Sequence, residues 1–145
     1  LKEEVPIGAV IVKEGKIIAR GHNLRESKNE ACAHAEIIAI QKACKKIGAW
    51  RLEGCEMFVT LEPCPMCAGA IINSRIKKLY IGAMEPKSGS VGSKLNLLQD
   101  YSFNHHVEVE YHVCEEESVK MLKEFFHTLR EKDRLEKQKG SRNYE

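Results

Sequence analysis

Three features of the chain predict an α/β fold built on a mixed five-stranded sheet. Two short β-like runs flank a tight turn as an antiparallel hairpin would. A strand, a helix and a strand then follow in the order of a parallel crossover, and an amphipathic helix closes the sequence after one more alternating stretch. At 145 residues the chain is long enough for one domain with a real core, and 43% hydrophobic with 30% charged content describes an ordinary globular protein. No apolar run approaches the roughly 20 residues needed to cross a bilayer, so no membrane partner is expected. The 23 basic and 21 acidic residues nearly balance, which neither demands RNA nor excludes it, because a local basic patch survives in a neutral total.

The hairpin pairs Ile7-Gly-Ala-Val-Ile-Val12 with Lys16-Ile-Ile-Ala-Arg20 around Lys13-Glu14-Gly15, and Gly21-His22-Asn23 ends it. Leu24 to Cys32 is polar and aperiodic and reads as a loop. From Ala33 to Ile47 the apolar positions Ile37, Ile40, Cys44 and Ile47 recur at helical spacing, and Gly48 supplies the stop. This helix carries His34 and Glu36 in its first turn. Cys55 to Leu61 reads as a buried strand that runs into Thr60-Leu-Glu-Pro-Cys-Pro-Met-Cys-Ala-Gly-Ala70. There Pro65, with no N–H to donate, suits the first position of a helix lasting to about Ser74. Lys78-Leu-Tyr-Ile-Gly82 is the next strand and completes a right-handed crossover.

Met84 to Ser93, rich in Gly, Ser, Pro and Lys, predicts a long mobile loop at the same end of the sheet. Asn96 to Gln99 suits a helical turn, and Val107 to Val113 alternates as a fifth strand would. Glu115, Glu116 and Glu117 suit a helix N-terminus, followed by the apolar stripe Val119, Leu122, Phe125, Phe126 and Leu129. From Glu131 the charged end is expected to fray. The chain starts at Leu1 rather than Met, which suggests an incomplete N-terminal element.

Six cysteines at uneven spacing, without a signal-like apolar segment, point to reduced thiols in a cytoplasmic protein rather than to disulfides. Cys32, Cys44, Cys55 and Cys114 read as packing residues, and Trp50 with Arg51 as the anchor of the loop before the third strand. Cys64 and Cys67 differ. They share the first turn of a helix, whose dipole favours the thiolate that binds metal. Alone they fit a redox pair or half of a structural zinc knuckle as well. His34, in His34-Ala35-Glu36, supplies a third ligand and leaves the fourth position of a Zn2+ ion for water, the arrangement of a catalytic site. Glu36 is either an acid favoured by the helix dipole or the proton carrier of a hydrolytic deamination, beside water acidified towards a pKa of about 7. Residues two apart in an ideal helix point about 200° away from each other, so His34 and Glu36 converge only where the helix is just beginning. Ligands just past a strand's carboxyl end lie where open α/β sheets keep their sites.

His-Ala-Glu followed by Pro-Cys-x-x-Cys is the signature of the zinc deaminases. Further runs agree with one branch of them: Val5-Pro-Ile-Gly-Ala-Val10, Gly21-His-Asn23, Val59-Thr-Leu-Glu-Pro-Cys64, Cys67-Ala-Gly-Ala-Ile71, Asn96-Leu-Leu98, Phe103-Asn-His105 and Phe125-Phe126. From Val5 to about Arg130 the chain resembles the bacterial tRNA-specific adenosine deaminases. The resemblance implies a three-layer α/β/α, cytidine-deaminase-like fold as a single domain over residues 1–145, with an incomplete N-terminal helix and a charged tail at 131–145. It also implies a Zn2+ ion in each subunit, a homodimer, and conversion of adenosine to inosine at the wobble position of an arginine tRNA anticodon stem-loop. By the same resemblance His34, Cys64 and Cys67 are metal ligands and Glu36 the proton shuttle. Asn23 and the Ala35 backbone meet the flipped base, and Glu85 stands where the family usually has Asp beside the substrate backbone. Asn104, His105 and Phe126 then lie near the RNA, although the Phe125-Phe126 pair also suits plain core packing. His106 departs from an Arg common in the family.

Two other readings share parts of this pattern. One is a deaminase of the same fold acting on a free base or nucleoside such as guanine or cytidine; the zinc motif cannot separate it, and only Phe103-Asn-His105, the Met84 to Ser93 loop and Phe125-Phe126 speak for tRNA. The other is a non-catalytic RNA-binding subunit with structural zinc, for which Glu36 has no use.

Overall fold

Strands β1 (Gly8–Lys13) and β2 (Lys16–His22) form the expected antiparallel hairpin. Its turn places Glu14 at φ 52° and Gly15 at φ 75°, the pair of positive angles that suits a two-residue hairpin loop. The computed structural model describes residues 4–99 and 103–142. The sheet is mixed and five-stranded, in the order β2-β1-β3-β4-β5. Strand β3 (Cys55–Leu61) runs antiparallel to β1 and parallel to β4 (Lys78–Ala83), and β5 (Glu108–Glu110) is parallel to β4.

Alternation along the strands sends Ala9, Ile11, Met57, Val59, Leu79 and Ile81 into one core with Ala39, Ala43, Ala68 and Ile71. The last four belong to helices α2 (Ala35–Ile47) and α3 (Pro65–Asn73), which form one outer layer. Helix α4 (Glu115–Arg142) lies on the other side against β4 and β3. Glycine permits two of these close approaches. At Gly82 a Cβ would come 2.7 Å from the Thr60 carbonyl and clash with Ser118 on α4. At Gly21 it would overlap the Ala35 carbonyl and sit 2.8 Å from Ala39 N, so α2 rests directly on the β2 backbone. The result is the three-layer α/β/α, cytidine-deaminase-like architecture that the sequence predicts. Among the described residues no helix is long and apolar enough to cross a membrane.

Several elements differ from expectation. The Leu24 to Cys32 loop contains one helical turn, α1 (Arg25–Lys28), invisible to periodicity because Glu4 holds it from outside, accepting from the Ser27 hydroxyl and the Glu26 and Ser27 N–H groups. Helix α2 begins at Ala35, not Ala33, and His34 is its extended N-cap. Strand β5 is confined to Glu108–Glu110, shorter than Val107 to Val113. Helix α4 does not fray at Glu131: it continues to Arg142, where pairs one turn apart such as Glu131 and Arg134 support it. Cys55 is buried and Cys44 half-buried, but Cys32 and Cys114 are exposed and do not pack. Trp50 is 59% exposed, with the Arg51 and Arg75 guanidinium groups over its ring, and anchors no loop from within. The ends of the chain expected as a helix remnant and a charged tail fall partly on residues 1–3 and 143–145, outside the described residues.

Candidate active site

Two helix starts face each other at the carboxyl ends of β3 and β4. Extended dihedrals at His34 (φ −81°, ψ 152°) turn its side chain away from the axis of α2 and leave Glu36 in the first turn. Cys64 is likewise the extended N-cap of α3 (φ −75°, ψ 175°), Pro65 opens the helix, and Cys67 lies in its first turn. This resolves the convergence that an ideal helix forbids, because His34 is not yet helical.

The His34 Nδ1 lies 3.6 Å from Cys64 Sγ and 3.5 Å from Cys67 Sγ. All three donor atoms fall within 4.8 Å of one another. A tetrahedral ion about 2.0 Å from imidazole nitrogen and about 2.3 Å from thiolate sulfur holds those atoms about 3.5 Å apart, so the donor set and its spacing fit a metal with three protein ligands. The thiols are tuned as a pair. Cys64 is pushed down to about 5, first by the hydrogen bond from the Cys67 side chain and also by the Cys67 and Met66 N–H groups and His34. Cys67 moves up, by the bond it gives to Cys64, by burial and by Glu36.

Glu36 is 4% exposed, and burial raises its carboxyl pKa even though Cys67 donates to it. A buried carboxyl with a raised pKa, beside three donors that could hold a metal, suits general acid/base hydrolysis.

The group forms the floor of a cavity of about 660 Å³. Asn23, Ala35 and Glu36 line it beside His34 and Cys64; Glu85, Lys87 and Ser88 form one wall, and Leu122, Lys123, Phe126 and Arg130 of α4 another. Asn23 is 6% exposed and holds the following turn by accepting from Arg25 N–H at 3.3 Å. Glu85 accepts from Lys87 N–H at 3.0 Å. Phe126 is 42% exposed and meets Phe125 edge-on at 5.3 Å. Of the sequence-derived residues, His34, Ala35, Glu36, Cys64, Asn23, Glu85 and Phe126 line this one cavity, and Cys67 lies beneath it.

Asn104 and His105 do not join them. His105 Nε2 donates to the Ile76 carbonyl at 2.7 Å, ahead of β4, while Ala83 at the far end of that strand lines the cavity. The two residues therefore sit by the opposite end of β4 from the site.

Sequence reasoning also missed Glu62. This carboxylate, 3% exposed, accepts from Glu85, Val91 and Ser93 N–H groups, each at 3.0 Å, and from the Ser93 hydroxyl. Burial works against its charge, and these donors together hold its pKa below the ordinary carboxylate value. The Met84 to Ser93 segment is therefore tied down rather than loose. The available signal was an acid at the end of an apolar strand, two residues before a metal ligand.

Known proteins agree with this geometry over most of the chain. The sequence profile of the MafB19-like deaminase family matches residues 1–130. A tRNA-specific adenosine deaminase of Bacillus subtilis is 56% identical over 131 residues, covering 90% of this chain and 81% of that protein. A solved structure from a study of A-to-I editing by tRNA wobble-position deaminases superimposes with a TM-score of 0.77 at 44% identity, covering 80% of this chain and 84% of that one. A guanine deaminase of Bacillus subtilis reaches a TM-score of 0.53 at 50% identity, over 54% of this chain and 50% of its own. Identity at this level, across most of both chains, means that this chain belongs to the tRNA-specific adenosine deaminases.

Proposed function

We propose that this protein hydrolyses adenosine to inosine at the wobble position of a tRNA anticodon, with zinc held by His34, Cys64 and Cys67. The observation that carries the reading is the buried Glu36 carboxyl beside a three-donor group, in a cavity that Arg25, Lys87, Lys123 and Arg130 also line. Zinc in that donor set supplies Lewis acidity that brings the pKa of water towards about 7. Glu36 takes a proton from the attacking water as its oxygen bonds to C6 of adenine and passes that proton to the ring nitrogen N1; it then takes the remaining hydroxyl proton and delivers it to the exocyclic amine as the C6–N6 bond breaks and the carbonyl forms. Water enters and ammonia leaves, with no redox change. Asn23 and the Ala35 backbone hold the base, and Glu85 and Phe126 flank it. An anticodon loop presents an already unpaired base, which lowers the cost of swinging it into the cavity.

The cationic residues in that lining suit phosphates, which a free base lacks. The likeness to tRNA deaminases spans most of this chain, whereas the likeness to a guanine deaminase spans about half of it. The family also supports an arginine tRNA as substrate, assembly as a homodimer and action in the cytoplasm.

The test is a panel: an arginine-tRNA anticodon stem-loop with a wobble adenosine, free adenosine, cytidine and guanine, each incubated with zinc-loaded protein. Inosine from the stem-loop alone is expected. Turnover of guanine or a nucleoside with an untouched stem-loop would mean that the chemistry is right and the substrate wrong. Chelation at neutral pH is expected to abolish turnover and stoichiometric zinc to restore it, with bound metal followed by elemental analysis. Activity that survives complete metal loss would contradict the role given to the donor group.

A further inference from the structure

Between the metal ligands and the cavity wall lies a charged group to which the reaction above gives no part. Glu62 directly follows β3, donates its own N–H to the Ala83 carbonyl at 2.8 Å, and precedes Pro63 and Cys64. Its side chain turns from the ligand turn towards a segment 23 to 31 residues further along the chain and gathers three backbone donors and a hydroxyl there. A buried anion that satisfies three convergent N–H groups fixes their positions by charge-assisted hydrogen bonds, and without it the Val91 N–H would be left buried and unpaired.

Two more observations show that the segment is shaped around this carboxylate. A Cβ at Gly89 would overlap the Glu62 carboxyl group and the Glu85 carbonyl, so only glycine lets the chain wrap this closely. Ser90 N–H also donates to the Pro63 carbonyl at 2.9 Å, a second tie to the ligand turn. Between these ties, Glu85, Lys87 and Ser88 line the cavity together with Phe126 and Arg130 of α4.

We propose that Glu62 is a positioning residue for substrate: it holds the Glu85–Ser88 wall at a fixed distance from the metal group, and so governs how tightly the RNA around the target base is bound. Glu62 lines the same cavity, but its carboxylate oxygens are taken up by the loop donors, and it acts through them. Its effect falls on KM, because the wall meets parts of the substrate that do not react. The proposal rests on the reading of the substrate as RNA.

Glu62→Gln keeps the shape but opposes an amide NH2 to backbone donors. Gly89→Ala disturbs the same contact from the loop side and leaves the strand into Cys64 intact, so it serves if the first variant folds poorly. Each is compared with wild type for bound zinc, for kcat and KM on the stem-loop, and for amide hydrogen exchange at Glu85, Val91 and Ser93. The expected result is full zinc content, exchange protection lost at those three amides, KM raised about tenfold or more, and kcat within about threefold. Lost protection with an unchanged KM would overturn the proposal. So would a collapse of kcat together with zinc loss, which would make Glu62 a support of Cys64 instead. Should wild-type protein leave the stem-loop unconverted, the function proposed above fails, and the exchange data still decide whether Glu62 holds the loop: unchanged protection in both variants would sink it.

Discussion

Glu36→Ala is expected to lower kcat by roughly 10²–10⁴-fold while leaving zinc bound and the fold intact. His34, Cys64 and Cys67 form the proposed donor group without this carboxylate, so elemental analysis of the variant should match wild type. Stability should not suffer either. Burial raises the Glu36 pKa, which means that the folded protein holds the ionised form at a cost. Glu36→Gln retains the volume and removes that charge, so its thermal midpoint is expected at or above that of wild type, as in sites that trade stability for chemistry. A variant lacking the carboxylate with near-normal turnover would remove Glu36 from the mechanism; one that loses its zinc would recast it as a structural residue.

Gly21→Ala is expected to damage the site from the far side of α2. The added methyl would overlap the Ala35 carbonyl and approach Ala39 N at 2.8 Å, and both are backbone atoms that no rotamer change can clear. Helix α2 must shift outward, and its first residues carry the site. Overpacking of this kind costs about 1–3 kcal/mol. The larger consequence is for activity: moving His34 and Glu36 by about 1 Å relative to Cys64 and Cys67 is enough to lose about 10²-fold in kcat/KM. Thermal unfolding and steady-state kinetics measure the two effects separately. Activity and midpoint both at wild-type values would show that α2 does not rest on this glycine as described.

The metal group was legible in sequence because its parts are local. Pro65 and the three-residue spacing put both thiols in one helical turn, and Gly48 with the apolar period of α2 placed His34 and Glu36 at the other helix start. The hairpin and the parallel crossover were legible for the same reason. Features that depend on distant partners were not. Turn α1 is held by Glu4, whose partner Ser27 lies 23 residues away, and no periodicity announces such a contact. Glu62 takes its meaning from donors up to 31 residues downstream. Lys123 and Arg130 reach the cavity only because α4 crosses β4 at Gly82 and directs the face of Phe126 towards it. Likeness of motif grouped Asn104 and His105 with the substrate residues, but it carries no information about which end of β4 they occupy. The long α4 was misjudged because a charged run was read as solvated coil, although its charges lie one turn apart and pair along the helix.

The most direct measurement is position-resolved sequencing of two arginine-tRNA anticodon stem-loops after incubation with zinc-loaded protein, one with the adenosine at the wobble position and one with it elsewhere in the loop. The account predicts inosine at the wobble position of the first, none in the second, and none in either with Glu36→Ala. Inosine that persists with Glu36→Ala, or that appears wherever an unpaired adenosine is offered, would contradict it.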